Sequence, residues 1–277
     1  MRGGSRAAAV RHVVGDGLRL ALGTLTIFPT PPPRVVDQRS GSWAMTFAPL
    51  VGLMLAAVAT VFVWLPAWVP GRVTVAPLLA SALTIGLLAF LTRAIHLDGL
   101  ADSADGLGSG KPSAEALAIM RGSDIGPFGV VTLVLVLLIQ VVALAQHIAE
   151  GRGVLAIALA LVVSRFALPL ICSKGVPAAR PDGLGQMVAG SVGRVQLLIA
   201  AGYSFVVLAV VAAAAVGPAQ VEGDLVLRGG LVATVALLAG AGMCWWCVRR
   251  LGGVTGDVMG ACVEVTFTVT LVVLTIV

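Results

Sequence analysis

Leu88-Ala89-Phe90-Leu91-Thr92-Arg93-Ala94-Ile95-His96-Leu97-Asp98-Gly99-Leu100-Ala101-Asp102-Ser103-Ala104-Asp105-Gly106 closes an apolar run that opens at Val75, and it carries three of the chain's thirteen carboxylates. Residues 75–95 have about the length, roughly 20 residues, that a helix needs to cross a bilayer. On a helix Asp98, Asp102 and Asp105 stand at i, i+4 and i+7, so all three project from one face. Like charges so placed repel by about 0.2–0.5 kcal/mol per pair. A counter-charge must hold them, and a hard divalent cation with oxygen ligands is the usual one. Mg²⁺ is typically held by a few carboxylates and shared with substrate phosphates. A solvated helix end would mix Lys and Glu instead of repeating Asp with Gly. The stretch therefore predicts a membrane helix that delivers a metal-binding acidic face to one side of the membrane.

The whole chain agrees with that reading. It is 58% hydrophobic and 11% charged, with a mean hydropathy of +1.04. Soluble domains carry about 25% charged residues, so an all-α integral membrane protein is expected. No polar stretch is long enough for a separate soluble domain. Met1 to Ser42, with six Arg and a proline cluster, does not read as a signal peptide. Cys172, Cys244, Cys247 and Cys262 lie in or beside apolar runs, and Cys244-Trp245-Trp246-Cys247 has no second pair, so buried thiols are expected. The isoelectric point of 9.6 reflects membrane topology and does not point to nucleic acid.

Ala7 to Phe28 is apolar but interrupted by Arg11, Asp16 and Arg19, and it ends at Pro29-Thr30-Pro31-Pro32-Pro33. A helix lying in the membrane interface fits it better than a span. About seven spans follow, at roughly 43–65, 75–95, 128–149, 153–173, 195–216, 229–248 and 257–277. Lys and Arg in the successive connecting segments number 6, 1, 3, 1, 3, 1 and 2, with Arg165 inside a span. Basic residues favour the cytoplasmic side. The chain is thus read as a cytoplasmic segment, 1–42, and one polytopic domain, 43–277, with cytoplasmic site loops near 96–127, 174–194 and 249–257. The C-terminus falls on the opposite side.

Those loops hold the unusual polar residues. Gly108-Ser109-Gly110-Lys111 has the wrong spacing for a phosphate-binding P-loop. A short helix is expected from Ser113 to Met120. Arg121-Gly122-Ser123-Asp124-Ile125-Gly126-Pro127-Phe128-Gly129 suits a phosphate or metal, or a plain re-entry turn. Arg165 at membrane depth costs about 2.5–3.5 kcal/mol or more unless paired or snorkelling. It either faces the bundle, toward phosphate or the Asp face, or snorkels. Arg180-Pro181-Asp182-Gly183 has turn chemistry with both charge signs. Asp257 and Glu264, seven apart, share a face, and an ionisable residue two turns into the membrane is functional by default. His96 lies about 200° from Asp98 round a continuous helix, so only a break would bring it to the Asp face; a general base or phosphate contact is its functional reading. His12 and His147 add little.

Several Asp, a buried Glu and a buried Arg converging at cytoplasmic helix ends describe a site for a charged substrate with Mg²⁺, and phosphoryl chemistry depends mainly on such positioning. CDP-alcohol phosphotransferases use spaced Asp in this way, but their later Gly-x-x-x-Asp-x-x-x-Asp run is missing here. His96-Leu97-Asp98-Gly99-Leu100-Ala101-Asp102 with Asp105-Gly106, Ile119-Met120-Arg121 through Gly126 and Gly129, Ser164-Arg165, Arg180 to Gly185, and Leu251-Gly252-Gly253 through Thr255-Gly256-Asp257, Gly260-Ala261 and Glu264 together resemble the cobalamin synthase family. The resemblance runs from about Leu20 to the C-terminus.

The resemblance implies an adenosylcobinamide-GDP ribazoletransferase, a multi-pass enzyme of the cell's inner membrane whose site faces the cytoplasm. It would join adenosylcobinamide-GDP to α-ribazole or its 5′-phosphate and release GMP, with Mg²⁺. It assigns Asp98, Asp102, Asp105 and His96 to catalysis and Asp98, Asp102, Asp105, Asp257 and Glu264 to the metal. Arg121, Ser123, Asp124, Arg165, Arg180, Asp182 and Thr255 would bind substrate. Gly122 stands where the family usually has an Asp, which Asp124 would replace. Phe267 stands where a second acid often follows the last Glu, and no role is assigned to it. Membrane lipid is an expected partner and nucleic acid is not; oligomeric state is left open. The other readings are a phospholipid or isoprenoid transferase with the same metal logic, and a cation-coupled transporter. Against the transporter stand carboxylates gathered at one face and the absence of an inverted repeat.

Overall fold

The computed structural model describes residues 2–65, 76–216 and 223–277. In chain order the helices are α1 (Arg2–Leu25), α2 (Gln38–Val63), α3 (Ala76–Leu91), α4 (Ile95–Gly108), α5 (Ser113–Ile119), α6 (Pro127–Ala149), α7 (Gly153–Ile171), α8 (Gly183–Val188), α9 (Arg194–Val216), α10 (Gly223–Leu251) and α11 (Gly256–Leu274). Helices α2, α6, α7, α9, α10 and α11 are each long and apolar enough to cross a membrane. Helices α3 and α4 qualify only as a pair, bent by 88°. The chain is thus an all-α multi-span membrane protein with six such helices among the described residues, or seven where the bent pair at the second expected span counts as one. That span's expected start at Val75, and Arg72 in the topology series, lie outside the described residues.

Small residues set the packing of the bundle. Helix α2 buries the stripe Ala44, Ala48, Val51, Leu55 and Ala59, and α7 buries Ala156, Ala160, Val163 and Ala167. Side chains this small let the two helices approach closely, which is how helices associate where apolar burial gives little drive. Helices α7 and α11 occupy the centre, with α2, α9 and α10 around α7 and α4, α6 and α10 around α11. Pro49 and Pro169 lie inside α2 and α7, where neighbouring helices compensate for the missing N–H.

Helix α1 packs on α2 with Ala21 and Leu25 buried. Its buried Asp16 accepts hydrogen bonds from the N–H groups of Arg34 (3.0 Å) and Val35 (3.4 Å), which ties down the proline-rich return. Helix α2 opens on a capping box ahead of the expected residue 43. Ser40 N–H donates to Asp37 Oδ1 at 2.8 Å, and Asp37 N–H donates to Ser40 Oγ at 2.9 Å. The first of these bonds holds the Asp37 carboxyl below its ordinary range.

The break between α3 and α4 contains no Gly or Pro. Arg93 and Ala94 both take φ of +54°, a left-handed conformation that costs a non-glycine residue roughly 1–2 kcal/mol. Ala94 N–H reaches back to Ala89 O at 2.7 Å, and the Arg93 guanidinium donates to the carbonyls of Gly23 (2.8 Å) and Thr24 (3.1 Å) at the end of α1. Strain of this kind persists where surrounding contacts over-determine it. Here it turns the acidic helix across the end of the bundle.

Candidate active site

Helix α4 lies against α11 because both carry glycine where they meet. A Cβ on Gly99 would stand 2.6 Å from Asp257 O, and one on Gly260 would stand 3.1 Å from the backbone of His96. This approach puts Asp98 and Asp102, one turn apart on α4, beside Asp257 in the first turn of α11. Asp98 is exposed; Asp102 and Asp257 are half-buried. Asp102 lies in the field of Asp98, Asp257 and Asp105, opposed by Arg180. Three facing carboxylates with one nearby guanidinium leave an excess of negative charge that a cation would stabilise.

The surrounding loops fix that arrangement. Thr255 caps α11: its hydroxyl accepts from Val258 N–H at 3.2 Å and donates to Asp257 Oδ2 at 3.1 Å, so it orients this carboxylate. Arg180 places its guanidinium 3.5 Å from Asp257 Oδ2 and donates to Leu117 O at 2.6 Å, bridging α11 to α5. The loop that holds Arg180 is stitched to the α10–α11 turn by Val254 N–H to Pro177 O (2.9 Å) and Ala179 N–H to Val254 O (3.0 Å). Farther out, Arg121 pairs with Asp182 at 2.6 Å on the exposed rim. Ser123 and Asp124 are exposed on the same rim and make no hydrogen bond or ion pair among the described residues.

Asp105 is engaged elsewhere. It is buried, its Oδ2 accepts from Gly126 N–H at 2.7 Å, and its Oδ1 accepts from Gly129 N–H at 2.9 Å. The first N–H groups of a helix have no partner within it, and a carboxylate there also meets the positive end of the helix dipole. Asp105 therefore caps α6 from a neighbouring helix and anchors the 121–129 turn. Replacing a helix-capping side chain by Ala costs about 0.5–2 kcal/mol, and a buried hydrogen-bonded carboxylate belongs at the upper end. Asp105→Ala is expected to lower the melting temperature in detergent and to expose the 121–129 turn to limited proteolysis; an unchanged melt and digest would count against the cap.

Glu264, Arg165 and His96 lie deeper, away from the Asp98–Asp102 face. Glu264 is buried, and its Oε2 accepts from Gln140 Nε2 at 2.9 Å, while Gln140 also donates to Thr268 Oγ1 at 2.9 Å. Arg165 is buried beside it, donates to Ser164 Oγ at 2.9 Å and stands 6.0 Å from the centre of the Phe267 ring. A small cavity of about 20 Å³ separates Arg165, Glu264 and Gln140. Arg165 thus faces the bundle instead of snorkelling, and Phe267 receives a role as the aromatic face beneath its guanidinium. His96 lies on the face of α4 away from Asp98, buried near Arg165, and neither ring nitrogen has a partner. Gln140 escaped the sequence reading. The signal was present, because it is the one polar residue in the apolar stretch from Leu133 to Ala145.

The four cysteines are buried and unpaired. Among the described residues no three His, Cys, Asp or Glu side chains converge closely enough to enclose a metal ion unaided.

The family model described as cobalamin-5-phosphate synthase matches residues 17–275. A relative from Frankia casuarinae, named adenosylcobinamide-GDP ribazoletransferase, is 40% identical over 265 residues, covering 92% of this chain and 93% of its own. Relatives of the same name from a Nocardioides species and from Syntrophobacter fumaroxidans are 40% and 39% identical, covering 92% and 88% of this chain and 96% and 92% of theirs. No solved structure matches the chain.

Proposed function

The chain belongs to the cobalamin-5-phosphate synthase family, and from that premise we propose that it is the membrane transferase that joins adenosylcobinamide-GDP to α-ribazole or its 5′-phosphate with release of GMP. The observation that carries this reading is the meeting of Asp98, Asp102 and Asp257 at the α4–α11 contact, opposite Arg180. The donor set is all oxygen and excess negative, which fits Mg²⁺. One or two of Asp98, Asp102 and Asp257 would hold it together with substrate phosphate oxygens. Bound there, the ion supplies charge neutralisation to the diphosphate of the activated substrate.

The chain's own groups do the rest. Arg180, held at its root by Leu117 O and balanced by Asp257, presents a planar fork of donors to a phosphate oxygen. Arg121 and Asp182 form an outer rim that admits the nucleotide. The ribazole hydroxyl attacks the phosphorus on the cobinamide side, GMP departs, and a carboxylate of the Asp98–Asp102 pair accepts the hydroxyl proton. Asp105 acts through the turn it anchors. The alternation of basic residues along the chain supports a plasma-membrane enzyme with this site on the cytoplasmic side. In the test, purified protein in lipid vesicles receives adenosylcobinamide-GDP, Mg²⁺ and either acceptor. GMP should appear only with an acceptor present; no GMP with either acceptor, from folded protein, overturns the proposal.

A further inference from the structure

At the end of the bundle remote from the acidic face, α9 and α10 both pack on α7 and scarcely touch each other among the described residues. Between them lies a cavity of about 360 Å³, within the roughly 300–1,000 Å³ range of ligand pockets. Its floor follows α7 from Arg152 through Leu155, Leu159 and Val162 to Phe166, a length of about 20 Å at ~1.5 Å per residue. That volume spread along α7 describes a long groove whose length and apolar lining suit one extended hydrocarbon chain.

The groove's walls are Leu, Val, Ala and Phe along most of its course, and charged groups gather at one end. Arg152 precedes α7, and Arg228 lies in the second turn of α10; both line the cavity and both are more than half exposed. Arg152 pairs with Glu150, while Arg228 pairs with Asp224 at 2.8 Å and donates to Val277 O at 2.5 Å. Each guanidinium has five N–H donors, so these contacts leave donors free on both. Of the other polar residues in the wall, His147 already contacts Leu271 O at 3.0 Å, and the buried Ser204 hydroxyl has no partner. The mouth therefore offers donors for an acidic oxygen, and apart from His147 and Ser204 the interior offers apolar contact.

We propose that this groove holds a glycerophospholipid, with one acyl chain along α7 and the phosphate at Arg152 and Arg228. A chain there fills the groove with van der Waals contact along its apolar wall, and the phosphate meets charge-assisted donors at Arg152 and Arg228. The proposal does not depend on the reaction at the acidic face, because no residue is shared.

The test is native mass spectrometry of the delipidated protein in detergent, offered phosphatidylethanolamine or diacylglycerol with identical chains. The wild type should retain one phospholipid, with diacylglycerol bound at least about tenfold more weakly. R152Q/R228Q should bring phospholipid binding down to the diacylglycerol level. A209F/A233F, which fills the groove from α9 and α10, should retain neither. Equal retention of the two lipids by the wild type overturns the proposal without any variant being needed, and so does an unchanged adduct on folded A209F/A233F.

Discussion

Asp98→Asn and Asp102→Asn should each lower GMP release by roughly 10²–10³-fold, the range seen when one group that stabilises transition-state charge is removed, while the melting temperature holds or rises. The second half of that expectation is the informative one. Asp102 stands in the field of Asp98, Asp257 and Asp105, with Arg180 as the opposing charge, so neutralising it relieves repulsion in the protein without substrate. Each repelling pair at helical spacing costs about 0.2–0.5 kcal/mol, too little to move the fold and in the stabilising direction when removed. A residue that exists to pack would show the reverse pattern. The apparent Mg²⁺ requirement should also rise in both variants, because each removes a candidate ligand. Near-normal turnover at saturating Mg²⁺ in both would show that α4 does not carry the reaction. Asp257→Asn makes a useful contrast: it also loosens Arg180 and an acid in the first turn of α11, so it should cost activity and some stability together.

The second large effect concerns the core. Arg165→Met should destabilise the protein by roughly 1–3 kcal/mol, the cost of leaving a buried polar group without the neighbour that balances it. Glu264 sits in the bundle with Gln140 as its hydrogen-bond partner and Arg165 as the neighbouring cation. Without Arg165 its charge is stranded; without Glu264, Arg165 keeps Ser164 and the ring of Phe267 but loses its counter-charge. The double variant Arg165→Met/Glu264→Met should therefore recover much of the loss, since removing both neighbouring buried charges leaves neither without its counter-charge. Thermal unfolding in detergent of both singles and the double checks this. A double variant as unstable as the sum of the singles would mean that the two charges do not compensate each other. A Mg²⁺ titration of the double variant separates the remaining role: an unchanged requirement leaves Glu264 out of the metal site.

Much of the architecture was legible because it is periodic. Apolar runs of bilayer length mark the spans, and the i, i+4, i+7 spacing puts Asp98, Asp102 and Asp105 on one face wherever that helix lies. Both are properties of a backbone with 3.6 residues per turn and need no knowledge of the neighbours. The Gly-rich motif from Leu251 to Glu264 likewise announces a close helix contact, although it does not say with which helix.

What the spacing left open is which neighbour each charge meets. Asp105 shares the face of Asp98 yet spends both oxygens on Gly126 and Gly129, because α6 happens to begin beside the end of α4. Glu264 shares the face of Asp257, but one lies at the polar end of α11 and the other among Gln140 and Arg165 from α6 and α7. The 88° turn after Leu91 has no Gly or Pro to betray it. It is held by Arg93 reaching carbonyls some 70 residues earlier in the chain. Helical spacing is set by bonds within four residues of each other, so the sequence alone determines it. The partner of a buried charge is set by which helices pack together, and only the tertiary structure decides that.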